Sequence, residues 1–130
     1  MLSPEYKIKQ EIINLALAWD DKPPVNLSTE EEVEELWDEF DYLCDAKSEI
    51  REGDVETDVP CDYSRHYESK SVAMKCVDGT WVGWTYWYGG GKYGEPEAID
   101  WMEYAYNLDC KEEEKLVIVR NFTKVDENEV

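Results

Sequence analysis

The sequence predicts an α+β domain in which two N-terminal helices form a hairpin and β-β-α-β follows, with a small, mainly antiparallel sheet. Three observations predict it. Apolar residues recur at helical spacing up to about residue 50. From residue 71 they alternate instead, and a turn signal separates two runs rich in strand-forming side chains. The chain has 130 residues, 42% of them hydrophobic, which suits one core and not two. One domain over residues 1–125 and a frayed acidic tail over 126–130 are expected.

The elements follow in order. Ser3 caps a first helix and Pro4 takes its first position. Ile8, Ile12, Leu15, Ala16 and Trp19 form its apolar stripe, and Pro23-Pro24 closes it. Ser28-Thr29-Glu30-Glu31 reads as a capping box, with Ser28 as the cap and Glu31 reaching back. Val33, Leu36, Trp37, Phe40, Cys44 and Ile50 then predict one helix of about 24 residues, about 36 Å long, stopped at Gly53. Residues 54–68 carry no period. Val72, Met74 and Cys76 alternate with polar or small neighbours, and Asp78-Gly79 predicts a two-residue type I′ turn. The return strand, Thr80 to Tyr88, is aromatic on both faces, so it is expected in the sheet centre. Gly89 to Gly94 is a loop. Glu95-Pro96 opens a third helix lined by Ala98, Met102, Ala105 and Leu108. Leu116 to Val125 is a last strand, with Leu116, Ile118 and Phe122 on one face and Val117, Val119 and Val125 on the other.

Charge narrows the function. Thirty-two Asp and Glu oppose thirteen Lys and Arg, giving a net charge of −19 and a pI near 4.2. Such a surface repels phosphate backbones and anionic headgroups, which argues against direct binding of nucleic acid or membranes. It attracts basic surfaces, many of which belong to proteins that handle nucleic acid. The start, MLSPEYKIKQE, has no apolar signal region, and no stretch approaches a membrane span. A cytoplasmic protein is expected. Cys44, Cys61, Cys76 and Cys110 are then free thiols, with Cys44 and Cys76 at apolar positions.

The acidic second helix is the leading candidate surface. Eleven carboxylates between Glu30 and Glu52 face only Lys47 and Arg51. Like charges at i,i+4 cost a few tenths of a kcal/mol each, and the helix dipole offsets this only in the first turn. Carboxylates one turn apart stand about 6 Å from each other, against about 3.4 Å per nucleotide along a DNA strand. Two such rows roughly imitate a phosphate ladder. Glu31, Glu34, Glu35, Asp38, Glu39, Asp41 and Asp45 are therefore expected to touch a basic partner. A solvated helix face is the plainer alternative.

Trp87, Tyr88 and Tyr93 offer a second surface for a protein or small ligand; the plainer alternative is packing beneath the helices. Gly89, Gly91 and Gly94 match G-x-G-x-x-G, yet Glu95 and Glu97 would repel a pyrophosphate there. Asp62, Ser64 and His66 lie within five residues, whereas triad members converge from separated segments. The cysteines lack C-x-x-C spacing and no EF-hand loop occurs. No cofactor, metal site or catalytic constellation is expected.

The segment Asp78 to Asp100, DGTWVGWTYWYGGGKYGEPEAID, resembles stretches in small proteins of bacteriophages and prophages. It covers about a fifth of the chain and carries no activity with it. The resemblance implies expression inside an infected bacterium. In size and charge the chain is similar to acidic phage proteins that imitate DNA and block restriction or repair enzymes. The expected function is a non-enzymatic inhibitor or modulator docking on a basic surface of a host nucleic-acid-binding or defence protein. The alternative is a binding module built on the aromatic strand and the glycine-rich loop.

Overall fold

The computed structural model describes residues 2–41, 43–61, 64–91 and 94–125. It is an α+β fold. Helices α1 (Pro4–Trp19), α2 (Glu30–Glu39) and α3 (Cys44–Arg51) precede strands β1 (Val55–Glu56), β2 (Glu68–Lys75), β3 (Trp81–Tyr88) and β4 (Tyr106–Leu108). The strands form one sheet in the order β1-β2-β3-β4, antiparallel throughout.

The β2–β3 hairpin is the centre of the fold, running from Lys75↔Trp81 to Glu68↔Tyr88. Its turn is one residue longer than expected. Cys76 donates to the Thr80 carbonyl at 2.7 Å and Gly79 donates to the Cys76 carbonyl at 2.9 Å. Gly79 has φ +88° and Asp78 does not share that sign. The loop is thus Val77-Asp78-Gly79, a type I turn closed by a left-handed glycine, not type I′. The Asp78 carboxylate stiffens it by accepting from the Thr80 amide at 2.9 Å and hydroxyl at 2.6 Å.

Period-two alternation puts Val82 and Trp84 on the helix-facing side, opposite Met74 and Val72. There they pack with Ile8 and Ile12 of α1, Ala46 of α3, and Trp101 and Met102. The Trp84 and Trp101 rings are 5.2 Å apart. Trp84 Nε1 donates to the Arg51 carbonyl at 2.8 Å, satisfying one of the open carbonyls at the end of α3. Trp81, Gly83, Thr85 and Trp87 look to the other side of the sheet, where Tyr106 and Leu108 cross Gly83.

Helix α1 begins as expected, with Ser3 Oγ accepting from the Tyr6 amide and Pro4 in the first turn. It is buried on two sides, so it is not one arm of a simple helical hairpin. Ile8 and Ile12 meet the sheet, while Leu2, Ile13 and Leu17 pack on Val33 of α2. Between these stripes, Lys7, Gln10 and Asn14 are buried. Each of these polar side chains has a partner, as burial demands. Gln10 accepts from the Leu27 amide at 2.6 Å, and Asn14 bonds both the amide and carbonyl of Val25. Lys7 Nζ donates to Thr80 Oγ1 and Asn107 Oδ1, each at 3.0 Å.

Four other expectations are corrected. The long second helix breaks in two: Phe40 turns out of the helix at φ −87°, ψ 128°, and α3 starts at Cys44. Leu36 and Phe40 join the α1–α2 cluster, whereas Leu43, Ala46 and Ile50 join the sheet-side core. One straight stripe cannot serve both. The cap of α2 is Thr29, one residue later than expected, with its hydroxyl donating to the Glu32 carboxylate at 2.9 Å. The third helix is a single 3-10 turn at Pro96–Ala98. Trp101 and Met102 are both buried in an irregular stretch, and Leu108 belongs to β4. Leu116 to Val125 forms no strand and is exposed throughout. Among the described residues, no helix is long and apolar enough to cross a membrane.

Candidate protein-binding surfaces

The acidic face is built by the way α2 is anchored. Val33 is fully buried, Leu36 and Trp37 are half-buried, and the capped first turn fixes the helix rotation. Glu31, Glu35, Asp38 and Glu39 are consequently left exposed, and Asp41 follows them just beyond the helix. Asp45, Glu49 and Glu52 are exposed on or just after α3. Because the helix breaks, the regular ladder on α2 spans only 10 residues, about 15 Å or roughly four nucleotide steps. The remaining carboxylates continue on a second, redirected segment. A shallow cleft of about 390 Å³ opens at the break, between Trp37, Asp38, Phe40, Asp41 and Lys47.

Glu34 stands apart from its neighbours. Lys9 Nζ approaches it at 2.7 Å and Tyr6 donates its hydroxyl at 2.8 Å. Lys9 also lies 4.7 Å from the Tyr6 ring centre and 5.4 Å from that of Trp37. The hydrogen bonds from Lys9 and Tyr6 hold the Glu34 carboxyl below its usual range. The same carboxylate pushes the Tyr6 phenol up to about 12. Glu34 therefore joins α2 to α1. Arg51 is likewise drawn inward: Nη1 donates to the Trp87 carbonyl at 2.7 Å, and its guanidinium sits 4.7 Å from the Tyr86 ring centre. Of the two cations expected to oppose the acidic run, only Lys47 stays on the exposed surface.

The aromatic candidates divide between two faces. Tyr88 stacks on Tyr86 with ring centres 5.4 Å apart and an interplanar angle of 16°. Lys70 Nζ is 5.6 Å from each ring and 2.9 Å from Glu56. Trp87 faces the opposite side of the sheet, at a hollow of about 150 Å³ with Thr85, Ile99 and Tyr104. Tyr93 lies outside the described residues. Of the ledge of Tyr86, Tyr88, Lys70 and Arg51, Tyr88 is an expected site residue, whereas Lys70 and Arg51 are not. Period two pairs Tyr86 with Tyr88, but only the fold brings Arg51 over them.

Among the described residues, the catalytic candidates make only a local contact. Ser64 Oγ accepts from the His66 backbone amide at 3.2 Å, a local turn, and Asp62 lies outside the described residues. After Gly94 the described chain holds only a three-residue 3-10 turn, so the helix N-terminus that would receive a pyrophosphate is missing there. Among the described residues, no group of three His, Cys, Asp or Glu side chains is placed to hold a metal ion. Cys76 is buried, and burial together with Glu11 and Asp78 pushes its thiol up to about 12. Cys44, expected at an apolar position, is exposed, as are Cys61 and Cys110. Burial raises the Glu11 carboxyl above its usual range, with Asp78 and Asp54 adding to it, even though Glu11 accepts the Val77 amide at 2.7 Å.

Comparison with protein-family models found no match, and comparisons with curated proteins and with solved structures found none either.

Proposed function

We propose that this chain is a non-enzymatic inhibitor or modulator whose acidic helical face docks on a basic surface of a nucleic-acid-binding protein in a bacterial cytoplasm. The observation that carries the proposal is the row of exposed carboxylates from Glu31 to Asp45, with no cation among them and only Lys47 just beyond, on a chain of net charge −19. Complementary fields speed encounter with a basic partner, and salt weakens it. Glu31, Glu35, Asp38, Glu39, Asp41 and Asp45 are the contact residues in this proposal, while Glu34 keeps α2 seated on α1.

The test is capture of partners from nuclease-treated bacterial lysate at low and high salt. A nucleic-acid enzyme recovered at low salt and displaced by added DNA is the expected result. Replacing Glu31, Glu35, Asp38 and Glu39 by Lys should abolish capture without unfolding the chain. Undiminished capture by that variant would sink the proposal. The stacked Tyr86–Tyr88 ledge favours a second reading, a binding module recognising a partner through aromatic contacts. A salt-resistant partner lost on Tyr88→Ala would point to it.

A further inference from the structure

We propose that Leu116–Val125 is a docking strand exchanged with a second copy of this chain, seated in the groove on the sheet face turned away from the helices. The segment is LVIVRNFTKV. Leu116 is 107% exposed, Ile118 79% and Phe122 87%, with Val117, Val119 and Val125 each above 70%. Six large apolar side chains within ten residues, all in water, mark an association surface. The continuous apolar run from Leu116 to Val119 and its β-branched content suit strand pairing.

Charge selects the partner. From Lys115 to Val125 there are three cations and no acid; Lys115 stands 3.8 Å from Glu113 of its own chain, while Arg120 and Lys124 lie further along the segment. That +3 stretch leaves −22 on the rest of a chain whose total is −19. The basic, apolar strand is complementary to the body of its own kind of molecule.

The receiving groove has a volume of about 620 Å³. Val55, Ala73, Trp81 and Leu108 supply apolar lining, and Glu56, Asp58, Asp109 and Glu112 outweigh Lys111 to leave it net negative. Strand β1 bounds it and, among the described residues, pairs only with β2 at the sheet edge, the kind of edge to which a strand can be added. Asp109 to Glu112 line this groove, and the chain then leaves it extended and exposed through Val125. A segment that departs from its own groove is placed to enter another copy's, and reciprocal exchange closes a two-fold dimer.

The experiment measures the mass of the full chain in solution by light scattering and sedimentation, at about 100 µM, well above a micromolar dissociation constant. A mass of twice 15.3 kDa is expected. Ile118→Asp with Phe122→Asp should return the full-length chain to a monomer with unchanged circular dichroism. Asp58→Lys with Glu112→Lys, both at exposed positions, should weaken the dimer at least tenfold. A monomeric parent chain overturns the proposal, whether the segment folds back on its own groove or captures a different protein. A dimer indifferent to the tail substitutions overturns it too. None of these outcomes depends on the acidic face of α2, so the two proposals fail separately.

Discussion

Gly53 is where the acidic helices are fixed to the sheet, and its replacement by alanine probes that junction. The residue follows α3, has φ +72°, and donates its amide to the Ile50 carbonyl at 2.9 Å. A Cβ there would stand 2.6 Å from Val72 Cβ and 2.8 Å from Val72 Cγ2. Val72 is only 1% exposed and belongs to the central core, so it has nowhere to retreat. Two effects add. A left-handed alanine costs about 1–2 kcal/mol, partly offset by about 0.4–1 kcal/mol from the stiffer unfolded chain. Forcing an extra carbon against a packed side chain costs about 1–3 kcal/mol more. Gly79 is the internal control: its φ is +88°, but nothing lies within 4 Å of where its Cβ would stand. Gly79→Ala should therefore lose only the conformational part, about 1 kcal/mol, and Gly53→Ala about 2–4 kcal/mol. Urea denaturation of both variants beside the parent measures the difference. Equal losses within about 0.5 kcal/mol would refute the contact between Gly53 and Val72 as the origin of the larger effect.

Three further outcomes are expected. Glu11→Gln keeps an acceptor for the Val77 amide and removes a charge that burial disfavours; because the folded carboxyl is raised above 4.5, the parent gains stability as pH falls through that raised value and loses it as pH rises. The variant should thus melt higher than the parent near neutral pH, with the gap closing toward about pH 4, and a constant gap would contradict the burial. Glu34→Gln should return the Tyr6 phenol from about 12 toward 10.0, read by spectrophotometric titration of the tyrosines, while Glu35→Gln leaves it in place. Trp84→Phe leaves the Arg51 carbonyl without its 2.8 Å donor and a void against Trp101, and should lower stability by about 2–4 kcal/mol in denaturant titration.

Local chemistry made part of this fold legible. Ser3-Pro4 starts a helix, Gly53 stops one, and Asp78-Gly79 reverses a strand, because each choice is decided within a few residues. The break after Glu39 is decided elsewhere. Phe40 and Leu43 serve different clusters, and that division exists only once α1 is sandwiched between α2 and the sheet. The spacing of Ala98, Met102, Ala105 and Leu108 fits a helix, but after one 3-10 turn the chain places Trp101 and Met102 in the core and continues into β4. Gln10 and Asn14 look like part of a polar face, yet they are the partners of Leu27 and Val25, which have no regular structure of their own. The Val25 and Leu27 amides needed acceptors, a requirement that the sequence implies without naming who meets it. For the candidate surface, the acidic excess was plain from composition, whereas the internal use of Glu34 and Arg51 was not.

Placement of the cations gives the molecule two electrostatically opposed parts. Lys7 is bonded in the interior, Lys9 serves Glu34, Arg51 serves the Trp87 carbonyl, and Lys70 serves Glu56. Each lies within the folded body, where its charge is already matched or buried, so the exposed carboxylates of α2 and α3 are left with little local compensation. Arg120 and Lys124 instead sit on an extended segment free of acids, with Lys115 at its start 3.8 Å from Glu113. Salt would weaken both a basic partner on the helices and the exchanged strand at the groove, but unequally. The helical face offers carboxylates with few apolar neighbours, so its affinity should fall steeply as salt rises. The strand also buries Leu116, Ile118 and Phe122, and burial of apolar area is not screened. A dimer that outlasts the loss of the helical partner during a salt titration is therefore the signature of two surfaces acting independently.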